Sequence, residues 1–402
     1  MATLTNKERI VSLDVLRGIA LIGIFVVNIS LMKSLSLLEY SLGLPSELTG
    51  IDRWLSLVIQ LFAEGSFISI FSFLFGVGFF IFMSNAEAKG FKVKRLFARR
   101  LTGLLVIGAI HFTLIWMGDI LLTYALTGFL LLLFYNRKTK TILVSAFLLL
   151  SLFFLLIGSQ LLMPESMVAD LQDDSHAMLG QAEAAYGTAP SWEWITYRLT
   201  EEVPFIGSQL VFLASYVLGM FLLGFYAGRK GWFQKGEQLL PFFRKLRNTC
   251  LTISLPLLAA LALVYLGVTD TGVKTVYVID LLTRVSAVFL AFAYLSMIVI
   301  WVHKPYGKRL KARLAAMGRM ALTNYLMQTT LALTFIYGFG LFNNMQLWQG
   351  ILLCATIIAI QMAVSPLWLN RFRYGPMEKI WRAMTYGRTK PLEQGTQKAH
   401  IS

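Results

Sequence analysis

The sequence predicts an all-α polytopic membrane protein, a bundle of about ten transmembrane helices with both termini cytoplasmic. Composition gives the class: 57% of the 402 residues are hydrophobic and 14% charged, where a soluble domain carries about 45–50% apolar and about 25% charged residues. Apolar runs near the length needed to cross a bilayer recur along the whole chain. Lys and Arg collect in alternate gaps between those runs, which sets the orientation.

The expected spans are 12–32, 65–83, 101–117, 120–135, 141–162, 206–228, 249–268, 277–301, 314–341 and 348–369. The first is too long for a signal peptide, carries Asp14 and Arg17, and lacks an A-x-A cleavage site, so it reads as a retained helix. Basic clusters follow the even-numbered spans: Lys92, Lys94, Arg95, Arg99 and Arg100; Arg137, Lys138 and Lys140; Arg229, Lys230, Arg244 and Arg247; Lys304, Lys308, Lys311 and Arg313. A miscounted span would break that alternation. The odd-numbered gaps are poor in Lys and Arg, and 163–205 is acidic, with Glu165, Asp170, Asp173 and Asp174 among its carboxylates against a single Arg198. That stretch is expected as an outer acidic loop, with Trp192 and Trp194 suited to the headgroup level.

Residues 371–402 read as a cytoplasmic tail beginning with a basic, aromatic amphipathic helix at Gly375-Pro376. The chain is one integral membrane domain, 1–402. Its net charge of +15 lies in the topogenic clusters and argues for the lipid bilayer, not nucleic acid, as partner. Cys250 and Cys354 lack CxxC spacing and read as small buried residues. No metal site and no permanently bound cofactor are expected, since His176, His303 and His400 fall in different gaps.

The chemistry-bearing candidates are polar residues set into apolar runs, where they are costly unless paired or hydrated. His111 follows Arg100 by eleven residues, which at ~1.5 Å per residue puts its ring about 15 Å deep. Asp119, two turns on, is expected to orient one ring nitrogen and leave the other as a base. Asp14 and Arg17 share a face of span 1 with Asn28, and either form a structural ion pair or present Arg17 to an anion from the cytoplasm. Glu64 stands at the outer mouth before span 2. Asp280 and Arg284 are i,i+4 neighbours that either satisfy each other or answer Glu64 or Asp119. Asn324, Tyr325 and Gln328 cluster on span 9, where interhelical hydrogen bonding and substrate contact are both open. Gly76-Val77-Gly78 reads as a close-packing device, because no strand precedes it to make a phosphate loop.

These segments together resemble the YeiB-type family of bacterial membrane proteins. The resemblance is carried by Leu13-Asp14-Val15-Leu16-Arg17-Gly18 with Asn28, by Glu64-Gly65 followed by Phe71-Ser72-Phe73-Leu74-Phe75-Gly76, and by Arg99-Arg100-Leu101. Gly108 through His111, Trp116 through Leu121 with Tyr124-Ala125, Gly318 through Tyr325, and Gly375-Pro376-Met377-Glu378 complete it. The first helix is also similar to that of the broader transmembrane acyltransferases, such as the lysosomal heparan glucosaminide acetyltransferase and bacterial polysaccharide acylases. That resemblance implies a multi-pass protein of the bacterial plasma membrane and transfer of an acyl group from a cytoplasmic thioester to an acceptor outside. Two departures stand out: Ser66 where a basic residue is expected, and no histidine just before Phe71-Ser72-Phe73.

Two functions follow as expectations. As an acyltransferase, Arg17, Arg95, Arg99 and Arg100 hold the phosphates of acyl-CoA; His111 and Asp119 are catalytic; an acceptor enters at the outer face past Glu64; and Asn28, Asn324 or Gln328 stabilises the oxyanion. As a proton-coupled transporter of a small molecule or lipid, His111, Asp119, Asp280 and Arg284 form the pathway.

Overall fold

A computed structural model of the chain describes residues 10–44, 48–187 and 191–387. Every regular element among them is helical. In order they are α1 (Val11–Met32), α2 (Ser36–Ser41), α3 (Gly50–Phe62), α4 (Ser66–Glu87), α5 (Val93–Ile110), α6 (Leu121–Leu131), α7 (Thr139–Ser159) and α8 (Glu165–Gly187). Then come α9 (Trp192–Tyr197), α10 (Val203–Lys230), α11 (Leu240–Tyr265), α12 (Thr275–Val302), α13 (Lys308–Arg319), α14 (Ala321–Gly338), α15 (Leu347–Arg371) and α16 (Pro376–Tyr386).

Among the described residues, eight helical stretches are long and apolar enough to cross a membrane. Their outward faces carry large apolar residues that a soluble protein would bury: Phe147, Leu148, Leu152 and Leu155 on α7 are all exposed, as are Ile51, Trp54 and Val58 on α3. Two of the ten expected spans fall short of that standard. The apolar stretch Leu121–Phe134 is only about 20 Å long at ~1.5 Å per residue, against a hydrocarbon core of about 30 Å. The expected 314–341 span is cut at Met320, whose φ of −108° and ψ of 33° end α13 and start α14. α13 carries Lys308, Arg309, Lys311 and Arg313 and has no apolar face wide enough for lipid. The acidic stretch expected as a loop is also different: α8 fills most of it.

Without a hydrophobic drive between helices in lipid, close packing depends on small residues that let backbones meet. Gly76 on α4 faces the Phe221 carbonyl of α10, and Gly224 on α10 faces the Phe73 carbonyl of α4, so neither contact has room for a Cβ. Gly18 on α1 and Gly318 on α13 repeat the arrangement against the backbones of Leu314 and Asp14. Around the first seam aromatic rings interlock, with Phe75 stacked on Phe221 at 4.3 Å between centroids and Phe79 edge-on to Phe97 at 4.8 Å. Helix ends are tied by distant side chains. The Asp52 carboxylate of α3 accepts from the Leu347 and Trp348 amides at 2.6 and 3.1 Å, capping α15. Lys311 donates to the carbonyls of Val302, the last residue of α12, and of Lys304 just beyond it.

Candidate functional site

α5 does not end as a regular helix. Its last turn, His111–Ile115, is a π-turn closed by the Trp116 amide donating to the His111 carbonyl at 2.8 Å. Such turns recur at functional sites because the extra residue re-aims a side chain. The chain then reverses and α6 returns against α5, the approach being close enough that Gly108 meets the backbone of Leu121 and Leu122.

That hairpin brings His111 and Asp119 together. Nδ1 of His111 lies 2.7 Å from Oδ2 of Asp119, and both side chains are buried, at 1% and 0% exposure. Asp119 Oδ1 accepts from the Leu122 amide at 2.8 Å, so the carboxylate also caps α6. The Tyr325 hydroxyl of α14 donates to Asp119 Oδ2 at 3.4 Å, and its ring stands 5.5 Å from the His111 ring. A carboxylate on Nδ1 fixes the proton there and leaves Nε2 with its lone pair. His111 Nε2 is buried and has no hydrogen-bond partner among the described residues.

Beside this group lies a cavity of about 980 Å³. One end is cationic, with Arg17, Lys89, Arg100, Arg319, Arg373 and Arg382 in its wall. The other is apolar and aromatic, reaching Leu21, Ile24, Phe71, Ile120, Tyr124 and Tyr325. The Glu378 carboxylate, also in the wall, is committed to the start of α14: it accepts from the Leu322 and Thr323 amides at 2.8 and 3.1 Å and from the Thr323 hydroxyl at 2.5 Å. Its charge therefore answers a helix N-terminus. The guanidinium of Arg100 lies 3.6 Å from the centre of the Trp381 ring, whose indole N–H donates to the Arg100 carbonyl at 2.7 Å.

The predicted residues divide accordingly. Arg17, Arg100 and Tyr325 line the cavity; Arg17 also pairs with Asp14 at 3.1 Å. Arg95 and Arg99 are exposed on α5, and Arg99 donates to the Met384 carbonyl of α16 at 3.4 Å. Asn28 is half-buried on α1 away from the cavity wall. Asn324 and Gln328 turn to α15: the Asn324 amide donates to the Met317 carbonyl and the Ser365 hydroxyl, and the Gln328 amide to Gln361 at 2.9 Å. That is interhelical bonding, so these two amides leave the oxyanion role. Arg284 is held by Asp280 at 2.7 Å and donates to the Tyr40 hydroxyl at 2.9 Å, with Glu64 beside them. Burial pushes the Tyr40 phenol up, so it is a neutral partner there. Among the described residues no hydrogen bond joins this group to His111 or Asp119, so the four residues of the transport reading form two separate clusters.

Sequence reasoning missed Trp381 and Arg382 as cavity residues. Their helix reads as a surface amphipath, and the Gly375-Pro376 start marks the helix without showing that it docks on α5. Among the described residues no cluster of His, Cys, Asp or Glu has the geometry of a metal site.

The fold and this site define an integral membrane protein of helical-bundle type with a buried histidine–carboxylate pair beside an amphiphilic cavity. The chain belongs to the YeiB-type family. It is 34% identical to the "Uncharacterized protein YxaH" of Bacillus subtilis (strain 168) over 98% of both chains. It is 29% identical to the "Uncharacterized protein YeiB" of Escherichia coli (strain K12) over 97% of this chain and 100% of that one. The family model "Protein of unknown function (DUF418)" matches residues 227–388, which include the α14 and α16 walls of the cavity. No solved structure matches the chain.

Proposed function

We propose that the chain is a transmembrane acyltransferase that takes its acyl group from a cytoplasmic acyl-CoA. The observation that carries the reading is the polarity of the cavity: guanidinium groups at one end, aromatic and aliphatic walls at the other, and Tyr325, in contact with Asp119, at its apolar limit. A long amphiphile with a polyanionic head matches that order of surfaces. Lys89, Arg100, Arg373 and Arg382 of the cavity wall lie in the basic gaps and tail, which the positive-inside bias assigns to the cytoplasm. Arg17, Arg100, Arg319 and Arg382 then meet the donor's phosphates, where bidentate guanidinium contacts are strong.

In the chemical step the acceptor hydroxyl or amine attacks the thioester carbonyl carbon. Its proton passes to His111 Nε2, and the departing thiolate takes that proton and leaves as free CoA. Asp119 holds the ring and stabilises the imidazolium formed in between. Tyr325 separates His111 from the cavity, so the step requires its ring to swing aside. The orphaned Nε2 supports the role, since a buried nitrogen without a partner is costly in a purely structural histidine.

Purified protein in lipid nanodiscs, supplied with radiolabelled acetyl-CoA and palmitoyl-CoA, tests this reading. His111→Ala is expected to bind donor as wild type does and to lose acyl transfer by about 100-fold or more. Arg100→Ala is expected to weaken donor binding. Absence of any CoA binding, or transfer undiminished in His111→Ala, overturns the reading.

A further inference from the structure

A second set of unanswered polar atoms lies at the opposite end of α1. The chain enters α10 through another π-turn, Arg198–Glu202. The helical stretch that contains it, Trp192–Lys230, has 39 residues, about twice what the hydrocarbon core needs. The turn lies outside the expected 206–228 span, at headgroup level. Arg198 is 8% exposed and Glu202 fully buried. Among the described residues, Nε and Nη2 of Arg198 and Oε1 of Glu202 have no hydrogen-bond partner, and no carboxylate forms an ion pair with Arg198. Glu202 Oε2 accepts from the Tyr186 hydroxyl at 3.0 Å. Arg198 and Glu202 both line a crevice of about 30 Å³, walled also by Tyr186, Tyr337 and Phe342 and by Trp116 of the His111 turn.

Volume and valence together define an occupant. About 30 Å³ holds two waters or one ion of similar size, and nothing larger. A guanidinium does not shed its charge in a protein, and a buried charge without a counter-ion is costly. Waters solvate that charge without neutralising it. Glu202 does not supply the missing negative charge: burial pushes its carboxyl up to about 7, against the opposing pull of the Tyr186 hydrogen bond and of Arg198. With Tyr186 on Oε2, the retained proton sits on Oε1 and makes it a donor. The open valences of the wall are then two N–H groups and one O–H. A cation finds no ionised ligand there and is repelled by Arg198. A small anion answers all three donors, and its charge further favours the protonated carboxyl.

We propose that the Arg198–Glu202 turn binds a single monatomic anion of the halide class, chloride above all, between the guanidinium edge and the carboxyl O–H. An ion seated there neutralises Arg198 and ties the entry of α10 to the His111 turn through the shared wall. The site is separate from the CoA cavity, and its occupancy does not depend on acyl transfer.

Thermal unfolding of the full-length protein in detergent micelles tests it, at about pH 6 so that the Glu202 carboxyl keeps its proton. Sodium chloride, sodium bromide and choline chloride each replace sodium gluconate at constant ionic strength, which holds screening fixed. A saturable rise in Tm with all three halide salts over the gluconate baseline is expected. Arg198→Gln removes the charge and is expected to weaken the halide response by about tenfold or more. Glu202→Gln puts an N–H donor of the same shape in place of the O–H and is expected to keep the response. Bromide gives a second readout, an anomalous-scattering peak in the crevice of protein crystallised from bromide. Equal Tm in halide and gluconate, a rise with the sodium halides that choline chloride does not reproduce, an unchanged halide response in Arg198→Gln, or its loss in a folded Glu202→Gln overturns the proposal. Should the variants not fold, the wild-type salt series and the bromide peak decide.

Discussion

At the Arg17 end of α1 the bundle leaves a hollow of about 980 Å³; at the Met32 end it leaves one of about 30 Å³. The first is spacious, and the carboxylate in its wall, Glu378, is already spent on a helix end. The second is tight, and its guanidinium and carboxyl group both have atoms left over. The His111 turn stands between them, with Tyr325 facing the large hollow and Ile115 and Trp116 facing the small one. The contrast separates two ways a membrane bundle makes a site. One holds helices apart around a volume that needs filling; the other packs them fully and leaves polar valences open.

α4 shows how the large hollow is kept. Its Gly76 face is pressed onto the α10 backbone, while at Gly78, two residues on, a Cβ would meet only Arg17 Nη2 at 3.7 Å. Two residues on a helix turn by about 200°, so one glycine closes the bundle and the other opens the cavity.

The largest expected effect breaks the packed side. Gly76→Leu drives a side chain into the Phe221 carbonyl, and the protein is expected not to yield a monodisperse peak in size-exclusion chromatography, an overpacking cost beyond the usual 1–3 kcal/mol or so. Gly78→Phe sharpens the contrast, since it should elute and melt like wild type yet weaken palmitoyl-CoA binding about tenfold or more by occupying the cavity. Equal damage from both substitutions would refute the two-faced reading of α4.

A smaller effect is expected from Glu378→Gln, which removes the charge from the α14 cap and loosens α16. A loss of about 1–2 kcal/mol should appear as a lower Tm and faster proteolysis within 372–387. Smallest is Tyr325→Phe, whose 3.4 Å bond to Asp119 is long. Its stability cost should stay below about 1 kcal/mol in chemical denaturation.

Much of this was legible in the sequence. The membrane class followed from composition, and the cost of a histidine and a carboxylate in apolar surroundings singled out His111 and Asp119, though the sequence did not show that the two meet. Gly76-Val77-Gly78 read as a close-packing device, and Gly76 does meet the α10 backbone, while Gly78 does not. What was illegible depended on pairings distant along the chain. Asn324 and Gln328 found Ser365 and Gln361 on α15, and nothing near 324–328 distinguishes a substrate amide from a packing one. Arg198 and Glu202 sat among many carboxylates in a stretch expected as loop, and only the π-turn buries them together. The α13–α14 break depends on Glu378, more than fifty residues downstream, for its cap.

The most direct test of the central claim is a structure determined with a non-hydrolysable thioether analogue of palmitoyl-CoA. The phosphates are expected among Arg17, Arg100 and Arg382, the chain along Phe71 and Tyr124, and the thioether sulfur beside a displaced Tyr325 with His111 uncovered. An analogue bound elsewhere, or an empty large cavity with the Tyr325 ring still closed over His111, would contradict it.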